Sequence, residues 1–200
     1  MSDFRAAIGA YIGEQAKPID KYSHQPRLYQ LATQVGAGLA YDDDILFAAA
    51  WLHDLGVFIG HRPEELEALS RWDNVAYAVE QVPTLLAQFG FPAEKVPAVL
   101  EAIREHLPGG RPVGREAVIL RDADMLAQLG AVGILRTVSK VGRDTRFATF
   151  ADALRVLRRN LDTLPEQLAL PSTRALAAPR IALLRAFLEG AEAEAGGAPL

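Results

Sequence analysis

The chain has 200 residues, half of them hydrophobic and 23% charged, with a formal net charge of −4. That is enough chain for one domain with a substantial core, and mild acidity without a block of like charge argues against a nucleic-acid polymer or an anionic membrane as partner. There is no cysteine, which excludes disulfides, thiolate metal sites and a thiol nucleophile. The first stretch, MSDFRAAIGAYIGEQAK, lacks a basic start leading into an apolar run and a small-residue cleavage site. The apolar run Ile45–Leu52 is too short to span a bilayer. The expectation is a cytoplasmic protein.

Taken in chain order, the apolar spacing is helical nearly throughout, and period-2 strand patterns are absent. Pro18 closes a first helix, and Leu28, Leu31, Val35 and Leu39 mark a second. YDDD at 41–44 can cap a third helix that Gly56 can end. Asp73 caps a helix ending near Gly90, and Pro92 opens the next, which stops before PGGRPVG at 108–114. Pro83 and Pro97 fall inside helical patterns and would kink or restart those helices. Another helix runs from about Arg115 to Leu129, and one more follows Gly130. GRDTRF at 142–147 reads as a loop before two long C-terminal helices. The expected fold is all-α: one helical domain over residues 1–200, with a core from about 20 to 190 and a short flexible tail at 191–200.

Ionisable residues interrupt the most apolar of these helices. AAAWLHDLGVFIG at 48–60 sets His53 and Asp54 inside a segment that otherwise reads as core. A carboxylate withdrawn from water without a partner costs several kcal/mol or neutralises itself. The four histidines are His24, His53, His61 and His106. His24 opens the second helix, and His53 and His106 lie near the ends of later ones. His61, in GHRPEE, is most simply a solvated loop residue. In EAVILRDADMLAQLG at 116–130, Asp122 and Asp124 interrupt another apolar helix. A divalent cation would supply the missing positive charge and accept imidazole and carboxylate as ligands. Adjacent positions such as 53 and 54 point about 100° apart, so an ion off the helix end can be reached by both. Asp122 and Asp124 point about 200° apart, so one of them is a ligand and the other a cap, an outer partner or a member of an ion pair. Periodicity does not choose between them.

The set resembles the HD-domain metal-dependent phosphohydrolases. HQPRLYQLA carries the early histidine His24, AAAWLHDLG the pair His53 and Asp54, and LRDADMLAQLGAVGILR the distal aspartate. The family's AD-x-L pattern falls on Asp124, which implies His24, His53, Asp54 and Asp124 as metal ligands. FPAEKVPAVLEAIREH and the closing helices are also similar, so the resemblance spans roughly residues 20–190 and places His106 near the site. Val57 stands where many relatives carry a lysine in HD-x-x-K. No GYP signature and no early H-x-x-x-H doublet are present, which favours the one-metal subgroup.

Two imidazoles and two carboxylates leave open positions on a six-coordinate ion and suit Mn²⁺, Fe²⁺, Co²⁺ or Ni²⁺ better than Mg²⁺. The implied chemistry is hydrolysis of a phosphoester or phosphoanhydride bond by metal-activated water, in a small phosphorylated substrate such as a nucleotide. Asp122 or Glu64 is the candidate for taking the water's proton. Arg27, His106, Lys140 and Arg143 are the candidates for binding phosphate charge. A hydratase or lyase on the same scaffold, or a non-catalytic nucleotide sensor, are the alternatives, because function lives in the pocket rather than the fold.

Overall fold

The computed structural model describes residues 3–18, 23–144 and 146–198. These residues form ten α-helices with no β-strand among them; an isolated bridge joins Ile59 and Arg62. The expected all-α class is what the structure shows. The chain divides into two compact units, 1–123 and 124–200. The expected core start near residue 20 lies outside the described residues.

The first unit contains α1 (Phe4–Gln15), α2 (His24–Val35), α3 (Asp43–Leu52), α4 (Leu66–Ser70), α5 (Asn74–Gln88) and α6 (Val96–Arg104). It also holds the first part of α7 (Arg115–Ala127), which runs across the division. Helix α3 is the centre of this unit. Every residue from Ile45 to Leu52 is buried, and α1, α2 and α6 all pack on it. A helix apolar on all sides needs neighbours on all sides, and the polar residues are confined to its N-terminus. There Asp42 accepts from the backbone N–H groups of Asp44 (3.0 Å) and Ile45 (3.4 Å). Arg5 of α1 donates to Asp43 and Asp44 at 2.8 and 2.7 Å, and Lys95 pairs with Asp42 at 2.8 Å.

Asp42→Ala is therefore expected to destabilise the protein by about 1 kcal/mol, chiefly through the lost cap, since an ion pair this solvated adds little. Thermal unfolding should show a decrease of roughly 2–4 °C for a chain of this length.

Asp73 caps α5 as the sequence indicates, accepting from Val75 and Ala76. Helix α5 continues through Pro83. Pro97 falls in the first turn of α6, where its missing N–H removes no intrahelical bond. The segment 57–72 contains the short helix α4, which the periodicity does not reveal. A helix this short has too little repeat to register.

The second unit holds the end of α7 together with α8 (Gly130–Val138), α9 (Phe150–Thr163) and α10 (Pro171–Ala195), with α8, α9 and α10 packed pairwise. Gly130 turns the chain between α7 and α8 at φ +77°, beneath Arg180 of α10, and Arg180 donates to the Leu126 carbonyl at 3.2 Å. Thr149 and Asp152 form a reciprocal capping box at the start of α9. GRDTRF is a turn closed by Gly142 N–H donating to the Phe147 carbonyl, with residue 145 outside the described set. Helix α10 extends through Ala195, into the segment expected to be a flexible tail. Alanine and glutamate, which dominate AEAEA, are strong helix formers, and that preference overrides the terminal position. Residues 199–200 of that tail are outside the described set.

Candidate metal centre

The site is assembled at helix ends. His24 is the first residue of α2, His53 caps the C-terminus of α3, Asp54 follows it, and His106 lies just past α6. All three imidazoles are buried, with residue exposures of 4%, 1% and 1% for His24, His53 and His106. Helix C-termini leave carbonyls without intrahelical partners, and two of these carbonyls orient two of the rings. His53 Nδ1–H donates to the Ala50 carbonyl at 3.0 Å, and His106 Nδ1–H to the Ile103 carbonyl at 2.6 Å. A carbonyl only accepts, so each bond places a proton on Nδ1, and in the neutral ring Nε2 then carries the lone pair. This is the outer-partner arrangement that fixes metal-ligating histidines.

The three imidazoles gather around one carboxylate. Asp54 Oδ2 lies 3.4 Å from His53 Nε2 and 3.7 Å from His24 Nε2. The His53 ring is 5.4 Å from that of His24 and 4.9 Å from that of His106, both edge-on. Ligand atoms of His53, Asp54 and His106 all fall within 4.8 Å of one another. Desolvation pushes the Asp54 carboxyl upward, but with the neighbouring rings protonated the charge of His53, a hydrogen bond from it, and the charges of His24 and His106 outweigh it and hold the group well below the usual carboxylate range; where the rings act as neutral ligands, a bound cation would supply that positive charge instead. The carboxylate is therefore ionised at neutral pH.

This donor set fits a divalent ion. Donors about 2.1 Å from a common centre can be at most about 4.2 Å apart, and the separations of Asp54 Oδ2 from His53 Nε2 and His24 Nε2 satisfy that. Imidazole nitrogen with carboxylate oxygen, and no sulfur, is the chemistry of Mn²⁺, Fe²⁺, Co²⁺, Ni²⁺ or Zn²⁺ rather than of a soft cation.

The remaining candidates are placed as follows. Arg27 is exposed on α2, and Glu64 is exposed ahead of α4. Asp122 is fully buried on α7 within the first unit. Asp124, also buried, opens the second unit, where its carboxylate accepts from Gln128 Nε2 at 3.3 Å; Gln128 Oε1 accepts in turn from Asn160 Nδ2 of α9 at 3.4 Å. Lys140 and Arg143 lie in the turn after α8, with the Lys140 ammonium 5.3 Å from the centre of the Phe147 ring. Sequence reasoning missed the Asp124–Gln128–Asn160 chain, although the i,i+4 spacing of Asp124 and Gln128 was a legible signal.

His61 is the one histidine whose placement corrects the sequence expectation. It is half-buried rather than solvated. Its Nε2–H donates to Gln15 Oε1 at 3.0 Å, and Tyr77 Oη–H donates to its Nδ1 at 2.9 Å. Burial lowers its pKa. Both partners are distant in sequence, which is why local composition pointed to solvent.

The HD-domain family profile matches residues 22–129. The chain belongs to the HD-domain family. The matched span includes His24, His53, Asp54, His106 and Asp124. Among solved structures, YpgQ of Bacillus subtilis is similar at 22% identity and a TM-score of 0.75, covering 97% of this chain and 96% of that one. YpgQ in complex with ADP is similar at 22% identity and a TM-score of 0.71, covering 96% and 98%. A predicted HD-superfamily hydrolase from an uncultured Thermotogales bacterium is 26% identical with a TM-score of 0.65, covering 94% and 91%. No curated protein matches the chain. None of the described helices is long and apolar enough to cross a membrane.

Proposed function

We propose that this HD-domain protein is a metal-dependent phosphohydrolase acting on a nucleotide. The observation that carries the reading is the convergence of His24, His53 and His106 on the ionised carboxylate of Asp54. The similarity to a Thermotogales protein described as a hydrolase supports hydrolysis, and the ADP complex of YpgQ supports a nucleotide ligand.

His24, His53, Asp54 and, by the AD-x-L pattern, Asp124 would hold one divalent ion, Mn²⁺, Fe²⁺, Co²⁺ or Ni²⁺ in preference to Mg²⁺. When bound, such an ion supplies Lewis acidity, polarising a phosphoryl oxygen and making a water acidic enough to attack near neutral pH. The chain's residues supply the rest. The Ala50 and Ile103 carbonyls keep His53 and His106 in the tautomer that presents Nε2. Arg27, Lys140, Arg143 and His106 are the proposed contacts to phosphate charge, guanidinium groups having the donor geometry for two oxygens at once. Asp122 or Glu64 takes the proton released by the attacking water.

Release of phosphate or pyrophosphate should be measured across nucleoside mono-, di- and triphosphates with Mn²⁺, Co²⁺ and Ni²⁺ in turn. Turnover by the wild type, abolished in Asp54→Ala, is the expected result. Metal bound without turnover of any substrate would overturn it, and would favour hydration of a carbon centre or nucleotide sensing on the same scaffold.

A further inference from the structure

The two halves of the His-Asp pair are held by different means. His53 belongs to the end of α3 and is oriented from within its own helix, through the Ala50 carbonyl. Asp54 has already left the helix. Its backbone, at φ −98° and ψ 15°, starts the tight 3-10 turn Leu55–Val57, and its side chain makes no cap bond to that turn. The direction of the Asp54 carboxylate therefore depends on where the turn sits.

What holds the turn comes from the other end of the 57–72 segment. Trp72 Nε1–H donates to the Gly56 carbonyl at 2.8 Å. Gly56 is also pressed against the start of α5, where a Cβ would lie 2.5 Å from the Asn74 carbonyl oxygen and 2.7 Å from its Cα. Those are backbone atoms, fixed by the Asp73 cap, so they cannot move aside cheaply. The Trp72 ring is packed on Tyr77 at 5.2 Å, and the Tyr77 hydroxyl donates to His61, four residues beyond the turn. Beyond Gly56, Ile59 N–H donates to the Lys17 carbonyl at 3.0 Å. The turn is thus clasped between the start of α5 and the chain leaving α1.

We propose that Trp72 is a positioning residue for the metal centre: by holding the Gly56 carbonyl, its indole N–H fixes the turn that aims Asp54 at the three imidazoles. The inference rests on the metal-binding reading of the preceding subsection. It assigns a role to a residue outside the metal cluster and explains why a glycine stands two positions after Asp54. Partners hydrogen-bonded directly to a ligand typically change metal affinity by about 10–100-fold when lost, and Trp72, acting one step further out through Gly56, belongs at the lower end of that range.

The test is Co²⁺ binding by calorimetry on chelator-treated, full-length protein, with melting temperatures of the metal-free forms measured alongside. Trp72→Phe keeps an aromatic ring against Tyr77 and removes the donor. It should bind Co²⁺ about tenfold more weakly, and excess Co²⁺ should restore its turnover. Gly56→Ala, which forces the turn away from Asn74, should weaken binding in the same direction. Val82→Ala, a core truncation elsewhere on α5, should lower the melting temperature and leave Co²⁺ affinity unchanged, which separates positioning from loss of stability. Wild-type affinity in Trp72→Phe would overturn the proposal, whatever Gly56→Ala does, while leaving the metal reading intact. A wild type that binds no Co²⁺, Mn²⁺ or Ni²⁺ would overturn the metal reading and this inference with it.

Discussion

His53→Ala is expected to lose both the metal and the activity while keeping its fold. In the proposed site His53 supplies one imidazole nitrogen, and its Nε2 lies 3.4 Å from the Asp54 carboxylate. Its ring also stands next to both other imidazoles of the cluster, so removing it opens a gap in the middle of the site rather than at its edge. Loss of an outer-shell partner already costs about 10–100-fold in metal affinity, and loss of a ligand should exceed the upper figure. The fold should survive, because α3 is held by the apolar run Ile45–Leu52 and by its N-terminal cap; a cost of roughly 1–3 kcal/mol is typical for a buried truncation of this kind. Thermal shift gives a direct measurement. At an ion concentration about 100 times the dissociation constant, binding adds about 2.7 kcal/mol of stability. For a chain of this size that raises the melting temperature by roughly 5–11 °C. The wild type should show this shift with Mn²⁺, Co²⁺ or Ni²⁺ and lose it with a chelator. His53→Ala should show none, and a full shift in the variant would remove His53 from the ligand set.

Much of this architecture is written locally. Asp42 and Asp73 cap the helices that the sequence places after them, and the uninterrupted apolar run in α3 identifies the central helix before any coordinates are known. The ordered set of His24, His53 and Asp54 is legible for the same reason: each stands at a helix end, and helix ends are where sequence punctuation is strongest. What sequence could not supply is long-range pairing. Nothing near His61 announces Gln15 or Tyr77 as its partners, and nothing near Gly56 announces Trp72. The convergence of His106 with His53 and Asp54 is of the same kind. Its position past α6 was visible, but that its Nδ1 would be engaged by Ile103 while the ring sits within reach of His53 and Asp54 depends on tertiary packing. The low-complexity segment AEAEA is helical to Ala195, because alanine and glutamate favour a helix.

Substitutions at Asp122 and Asp124 are expected to separate metal binding from proton transfer. The two carboxylates leave α7 about 200° apart, so they cannot play one role. Asp124 has an outer partner of the kind that orients a ligating carboxylate, Gln128, itself tied to Asn160 of α9. Asp124→Asn keeps the size of the side chain and an acceptor for Gln128 but removes the negative charge. If Asp124 is a ligand, the substitution should weaken metal binding by more than ~100-fold, and turnover should vanish with it. Asp122→Asn should bind the metal normally. If Asp122 takes the water's proton, kcat should fall by about 10²–10⁴-fold and the acid limb of the pH–rate profile should disappear. Should kcat instead survive in Asp122→Asn and collapse in Glu64→Gln, the base is Glu64. A metal lost from Asp122→Asn and retained by Asp124→Asn would reverse the assignment of the two aspartates. That reversal would leave His24, His53 and Asp54 in place, because the separations that bring them together involve no residue of α7.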